Sequence, residues 1–174
     1  MQVAGITDRA SLHHADSLAL AADVLRAGSS IRLKARGVSM LPTLWPGDVL
    51  SVVPPDGKPI RAGDIVLILR GSRAIVHRIQ NRIESAEGPR WITRGDAVLQ
   101  SDPPASQSEI IGRIDGVFRD NRFQSLSNRV GLVARASAWI FRRSDLSLRL
   151  ALRIRHLRSR TDEGLPLYAL RGDC

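Results

Sequence analysis

Between Ile31 and Asp120 the chain never keeps one pattern for more than a few residues. Short β-branched runs, "IRLKARG", "DVLSVV", "DIVLILR", "AIVHRI", "RWITRGD" and "IIGRIDGVF", are each cut off by Gly, Pro or Asp. Runs of about four to eight residues bounded by turn formers build strands and leave no room for a long helix. The paired run "DIVLILRGSRAIVHRI" reads as one hairpin, with Gly71-Ser72 supplying a two-residue turn that needs a positive φ at its first position. "VPPDGKP" and "SDPPASQS" hold prolines that remove ladder donors, so they belong to loops or sheet edges. One compact all-β domain without internal repeats is expected here.

Helical spacing flanks this segment on both sides. From Thr7 to Ala27, Leu18, Ala22 and Leu25 recur at i, i+4, i+7, and Gly28 is placed as a stop. From Ser127 onward helical spacing returns. Ser144-Asp145 is placed to cap between a helix holding Trp139, Ile140 and Phe141 and a second one with Leu146, Leu150, Ile154 and Leu157 in a stripe. The expected organisation is an accessory N-terminal helix at 1–30, a β domain at 31–120, and a basic helical extension and tail at 121–174. The extension carries most of the charge. The net charge is +9, and from Arg119 to Arg160 eleven arginines face only Asp120 and Asp145.

The 174 residues suffice to bury a core without staples. Cys174 is the single cysteine, so no internal disulfide can form, and Cys-x-x-Cys and His-Glu-x-x-His spacings are missing. No metal and no cofactor is expected. The sequence contains neither an apolar run of spanning length nor the basic-then-apolar order of a secretory signal, which points to a cytoplasmic or membrane-peripheral protein.

The segment "GVSMLPTLWPGD", Gly37 to Asp48, locks Ser39 into a proline-rich turn. A serine hydroxyl becomes a nucleophile only when a neighbouring base takes its proton. Of the four histidines, His13 and His14 lie on the N-terminal helix and His156 among arginines. His77 alone sits in a strand of the β domain, where alternation puts it on one face with Ile75 and Ile79, and Val76 with Arg78 on the other. Taken singly, His77 reads more simply as a satisfied core histidine. A third element is "TRGDAVLQSD", whose Asp96 and Asp102 are both placed to orient an imidazole, although Asp96 also suits a turn that bonds its own backbone.

With Ser39, His77 and these aspartates in that order, the chain resembles the signal peptidase I family, within the wider group that includes LexA-like self-cleaving repressors. The matching pieces are "SMLPTLWPGD", "GDIVLILRGSRAIVHRI" and "TRGDAVLQSD", which together span about half the chain. Most bacterial members carry lysine at the base position, and His77-Arg78 resembles the histidine variant. The resemblance implies a mainly β fold, the coiled β domain of signal peptidase and LexA-like proteins, with a short N-terminal helix and basic C-terminal helices around it. It also implies a serine endopeptidase acting on a leader or signal-type precursor. Ser39 would be the nucleophile, His77 the base and Asp102 the acid that orients it, with Asp96 in support. Met40 and Pro42 would shape the cleft, and Gly37 stands where many signal peptidases have a hydroxyl, so a backbone group would serve the oxyanion there.

Family members normally carry an N-terminal membrane helix that this sequence does not show. The Arg-rich C-terminal region could replace it by peripheral contact with anionic lipid. The competing class is a non-catalytic module on the same fold that binds nucleic acid, membrane or a protein partner through those basic helices. An aromatic content of 4% and the lack of a reader motif argue against nucleic acid. Self-processing is a third possibility, with "ARASAW", Ala134 to Trp139, holding small residues at the spacing that signal peptidases prefer.

Overall fold

A computed structural model describes residues 5–55, 58–119 and 122–126. The expected C-terminal helices and the "ARASAW" segment lie outside the described residues. Helix α1 (Gly5–Arg26) precedes eight strands: β1 (Ile31–Lys34), β2 (Val49–Val53), β3 (Ile65–Arg70), β4 (Arg73–Ser85), β5 (Gly88–Arg94), β6 (Ala105–Ser106), β7 (Ile110–Arg119) and β8 (Arg122–Ser125). All pairings are antiparallel, in the order β1-β2-β7-β3-β4-β5-β6, with β8 also on β7. Among the described residues the architecture is mainly β with one α-helix, as the strand pattern requires.

The expected hairpin is β3–β4, with Ile65 opposite Arg78 and Arg70 opposite Arg73, and Gly71 takes φ +55° at its tip. Both faces of β3 are buried, which explains its unbroken apolar run. Ile65 and Leu67 join one core with Leu25, Leu50, Val52 and Val117, while Val66 and Ile68 join a second with Ile79, Trp91 and Ile110. Register shifts in the β2–β7, β3–β7 and β4–β5 pairings bend the sheet around these two cores.

Helix α1 seals the first core with the stripe that its spacing implied: Leu18, Ala22 and Leu25 are all buried. It ends at Gly28, whose φ is +84°, with the Ser29 N–H donating to the Val24 carbonyl at 3.1 Å and the Gly28 N–H to that of Leu25 at 3.0 Å. That closure satisfies the last carbonyls and needs a left-handed residue where glycine stands. Among the described residues no helix is long and apolar enough to cross a membrane.

Strand β4 changes partners midway. It pairs with β3 over Arg73–Arg78 and with β5 only from Arg78 onward, so the edge of Arg73–His77 that faces away from β3 has no strand partner among the described residues. Strand β1 ends the sheet order, leaving its outer edge similarly open. The site lies where these two edges approach.

Candidate active site

The loop between β1 and β2 carries Ser39 and is closed at its base by two backbone bonds. The Ala35 N–H donates to the Asp48 carbonyl at 2.7 Å, and the Gly47 N–H to that of Ala35 at 3.0 Å. Met40, Leu41 and Leu44 are buried and anchor it from within, and the Leu41–Pro42 peptide is cis. The fully buried Asp48 carboxylate accepts from the Trp45 N–H at 2.8 Å and from Arg119 Nη2 at 2.6 Å. Arg119 Nη2 also donates to the Thr43 carbonyl at 2.7 Å. The Gly-Asp at the end of the motif therefore ties the serine loop to β7, about seventy residues away in sequence, by charge-assisted bonds.

His77 projects from β4 toward this loop. Its Nδ1 lies 2.5 Å from Asp102 Oδ2 and its Nε2 lies 3.0 Å from Ser39 Oγ. An ionised carboxylate can only accept, so Nδ1 carries the proton and donates to Asp102. Nε2 is then left as an acceptor for the Ser39 hydroxyl. Asp102 Oδ2 also accepts from Thr93 Oγ1 at 2.6 Å, and the Asp102 N–H donates to the Thr93 carbonyl at 2.8 Å. Thr93, fully buried on β5, thereby aims the carboxylate. The line Ser39–His77–Asp102 has the connectivity of a nucleophile, a base and an orienting acid.

Asp96 does not support His77 as expected from the sequence. It turns to the opposite face of β4, where Arg78 donates from Nε to Oδ1 and from Nη2 to Oδ2, each at 2.8 Å. Thr43 Oγ1 donates to Asp96 Oδ2 at 2.5 Å, and Arg78 Nη1 to the Gly63 carbonyl at 2.8 Å. Alternation explains the change: next to a histidine that faces the serine, the neighbouring Arg78 must point away, and once buried it requires a carboxylate. This two-pronged pair clamps the serine loop, β4 and the turn after β5 together.

Gly95 fits between the reacting groups. A Cβ placed there would lie 2.5 Å from the Ser39 carbonyl oxygen and 3.1 Å from His77 Nε2. The next turn closes over the same carbonyl, with the Ala97 N–H donating to it at 2.8 Å. Thr93, Gly95, Thr43 and Arg119 are site residues that the sequence did not single out, although all but Arg119 lie within the three quoted motifs; Arg78 is placed by alternation, but not as the partner of Asp96.

A cleft of about 770 Å³ opens beside Ser39 and His77. One wall comes from β1 and the segment after it (Leu33 to Gly37), the other from Arg73 to Val76, and Ser17, Leu18 and Ala21 of α1 close one side. Met40 lines it and Gly37, at φ +78°, stands at its edge. Pro42 is half-buried and is not among the lining residues, contrary to expectation. Among the described residues no group of three or more His, Cys, Asp or Glu side chains could hold a metal ion.

Comparison with known proteins gives one family: the model described as Peptidase S24-like matches residues 2–114. The match takes in α1 and the strands through most of β7, beyond the reach of the three sequence motifs. It agrees with the wider LexA-like and signal-peptidase-like group and does not single out signal peptidase I. No curated protein matches the chain.

Proposed function

Because the chain belongs to the Peptidase S24-like family, we propose that it is a serine endopeptidase working through Ser39, His77 and Asp102. The observation that carries this reading is the continuous line from Ser39 Oγ to His77 Nε2 at 3.0 Å and from Nδ1 to Asp102 at 2.5 Å. His77 takes the Ser39 proton as Oγ attacks a peptide carbonyl, and Asp102 stabilises the imidazolium that forms. The Ser39 backbone N–H serves the oxyanion, a kind of contact worth about a hundredfold or more in rate. His77 then delivers its proton to the leaving amine, and water hydrolyses the acyl-enzyme.

The two strand edges flanking the cleft, unpaired among the described residues, suit a substrate segment in extended form, which can hydrogen-bond to either. A leader or signal-type precursor is the substrate class the motifs favour, with small residues at the first and third positions before the cut. The test is mass spectrometry of Ala-x-Ala and scrambled peptides after incubation with the purified chain and with its Ser39→Ala form. Cleavage by the first alone is expected. Equal cleavage by both, or none by either, overturns the assignment.

A further inference from the structure

The cleft beside Ser39 carries a charge bias that the catalytic line does not explain. Among the described residues its lining includes Lys34, Arg36 and Arg73 and no aspartate or glutamate. Elsewhere on the sheet five arginines, Arg70, Arg78, Arg82, Arg90 and Arg119, each hold a carboxylate. Lys34, Arg36 and Arg73 are exposed, and among the described residues none of them forms an ion pair within 4.0 Å. Between them the cleft is small and apolar, with Ala21, Ala35, Leu44 and Val76.

The spacing along β4 sets where such a bias would be felt. Arg73 and His77 share one face of the strand four residues apart, about 13 Å at roughly 3.3 Å per residue. An extended peptide lying along that edge advances at the same rate. A side chain about four residues from the bond at Ser39 therefore comes opposite Arg73, while Lys34 and Arg36 approach from the facing wall.

We propose that the Ser39 cleft selects peptides with an acidic side chain about four residues from the scissile bond, received by Arg73 together with Lys34 and Arg36. The position of the cut rests on the proteolytic reading; the charge preference of the cleft does not. Exposed pairs are individually weak, so the three cations together give a preference of about five- to tenfold at low salt. Because the pairs are solvent-exposed, about 0.5 M NaCl should erase most of it.

The test uses fluorescein-labelled peptides with an Ala-Ser-Ala core and Glu, Gln or Lys placed four residues from it on either side. A control peptide carries Glu about eight residues away, to account for the chain's overall positive charge. Affinities come from anisotropy with the full-length Ser39→Ala protein, and kcat/KM comes from the unmodified chain. The Glu peptide should bind about fivefold tighter than the Gln peptide, with the Lys peptide weakest, and Arg73→Glu, which takes the three cations of the cleft from +3 to a net +1, should remove most of that preference. A Glu preference in binding with no cleavage by the unmodified chain would uphold the cleft selectivity and overturn the peptidase reading. Equal affinities, a preference shared by the distant-Glu control, or a preference undiminished by Arg73→Glu would overturn the proposal itself.

Discussion

Gly95→Ala tests the geometry of the site without touching a reacting group. The new methyl would lie 2.5 Å from the Ser39 carbonyl oxygen, where ordinary contact begins at 3.4 Å, so the gap must open by about 0.9 Å. That oxygen is backbone and is held by the Ala97 N–H at 2.8 Å, so it has no rotamer by which to yield. A displacement of that size passed to Ser39 Oγ would stretch its 3.0 Å bond to His77 past hydrogen-bonding range. Misplacement of reacting groups by about 1 Å costs on the order of a hundredfold in rate. The expected outcome is a fall of about a hundredfold in kcat on a cleaved peptide, with a similar loss of labelling by a fluorophosphonate probe of activated serines. Circular dichroism should still report the folded sheet, and thermal melting should show whether stability has changed. A Gly95→Ala protein that keeps kcat within threefold of the parent would refute the argument that glycine stands here for lack of room.

Asp102→Asn should leave the fold intact and lower kcat by about a thousandfold or more, because the amide no longer holds the imidazole with Nε2 free to accept; a stopped assay with purified protein measures it. Arg78→Met removes the guanidinium that pairs with the buried Asp96 carboxylate and should destabilise the chain by about 3–5 kcal/mol in urea unfolding, whereas Thr43→Val, which removes a single donor, should cost about 1 kcal/mol. Burial by itself would raise the Glu109 carboxyl, but the Ser106 N–H and hydroxyl and the Arg70 guanidinium together hold it below its ordinary value. A carboxyl lowered in the fold adds stability that is fully present above its unfolded value of about 4.5 and is lost as the pH falls through the lower folded value. Urea midpoints of the parent and of Glu109→Gln should therefore converge as the pH falls below about 4.5.

Much of the site was legible because it follows from local periodicity. A period of two put His77 on the face of Ile75 and Ile79 and sent Arg78 to the other, and a period of 3.6 picked out Leu18, Ala22 and Leu25 as the buried stripe of α1. Asp96 and Asp102 could not be told apart in this way. They follow the end of β5 at Arg94 by two and eight residues, and which carboxylate meets the imidazole depends on the β4–β5 register, with its shift between Ile79 and Asn81, and on the path of the turn. Gly95 was hidden for a different reason: a Gly-Asp pair reads sufficiently as a turn, and nothing nearby in the chain announces that a serine loop more than fifty residues upstream will press against it.

By itself, then, the sequence determined six of the eight strands, the hairpin at Gly71, the helix and the identity of a serine and a histidine that could react, since each depends on residues within one or two turns of chain; β6 falls in a proline-bearing segment read as loop or edge, and β8 at Arg122–Ser125 falls where the helical extension was expected to begin. Only the tertiary structure decided which acid orients His77, that Arg78 and Arg119 fasten the serine loop from remote strands, and that α1 walls a cleft lined by Lys34, Arg36 and Arg73. Those outcomes depend on distances between residues far apart in the chain, and such distances come into existence only when the sheet bends around its two cores.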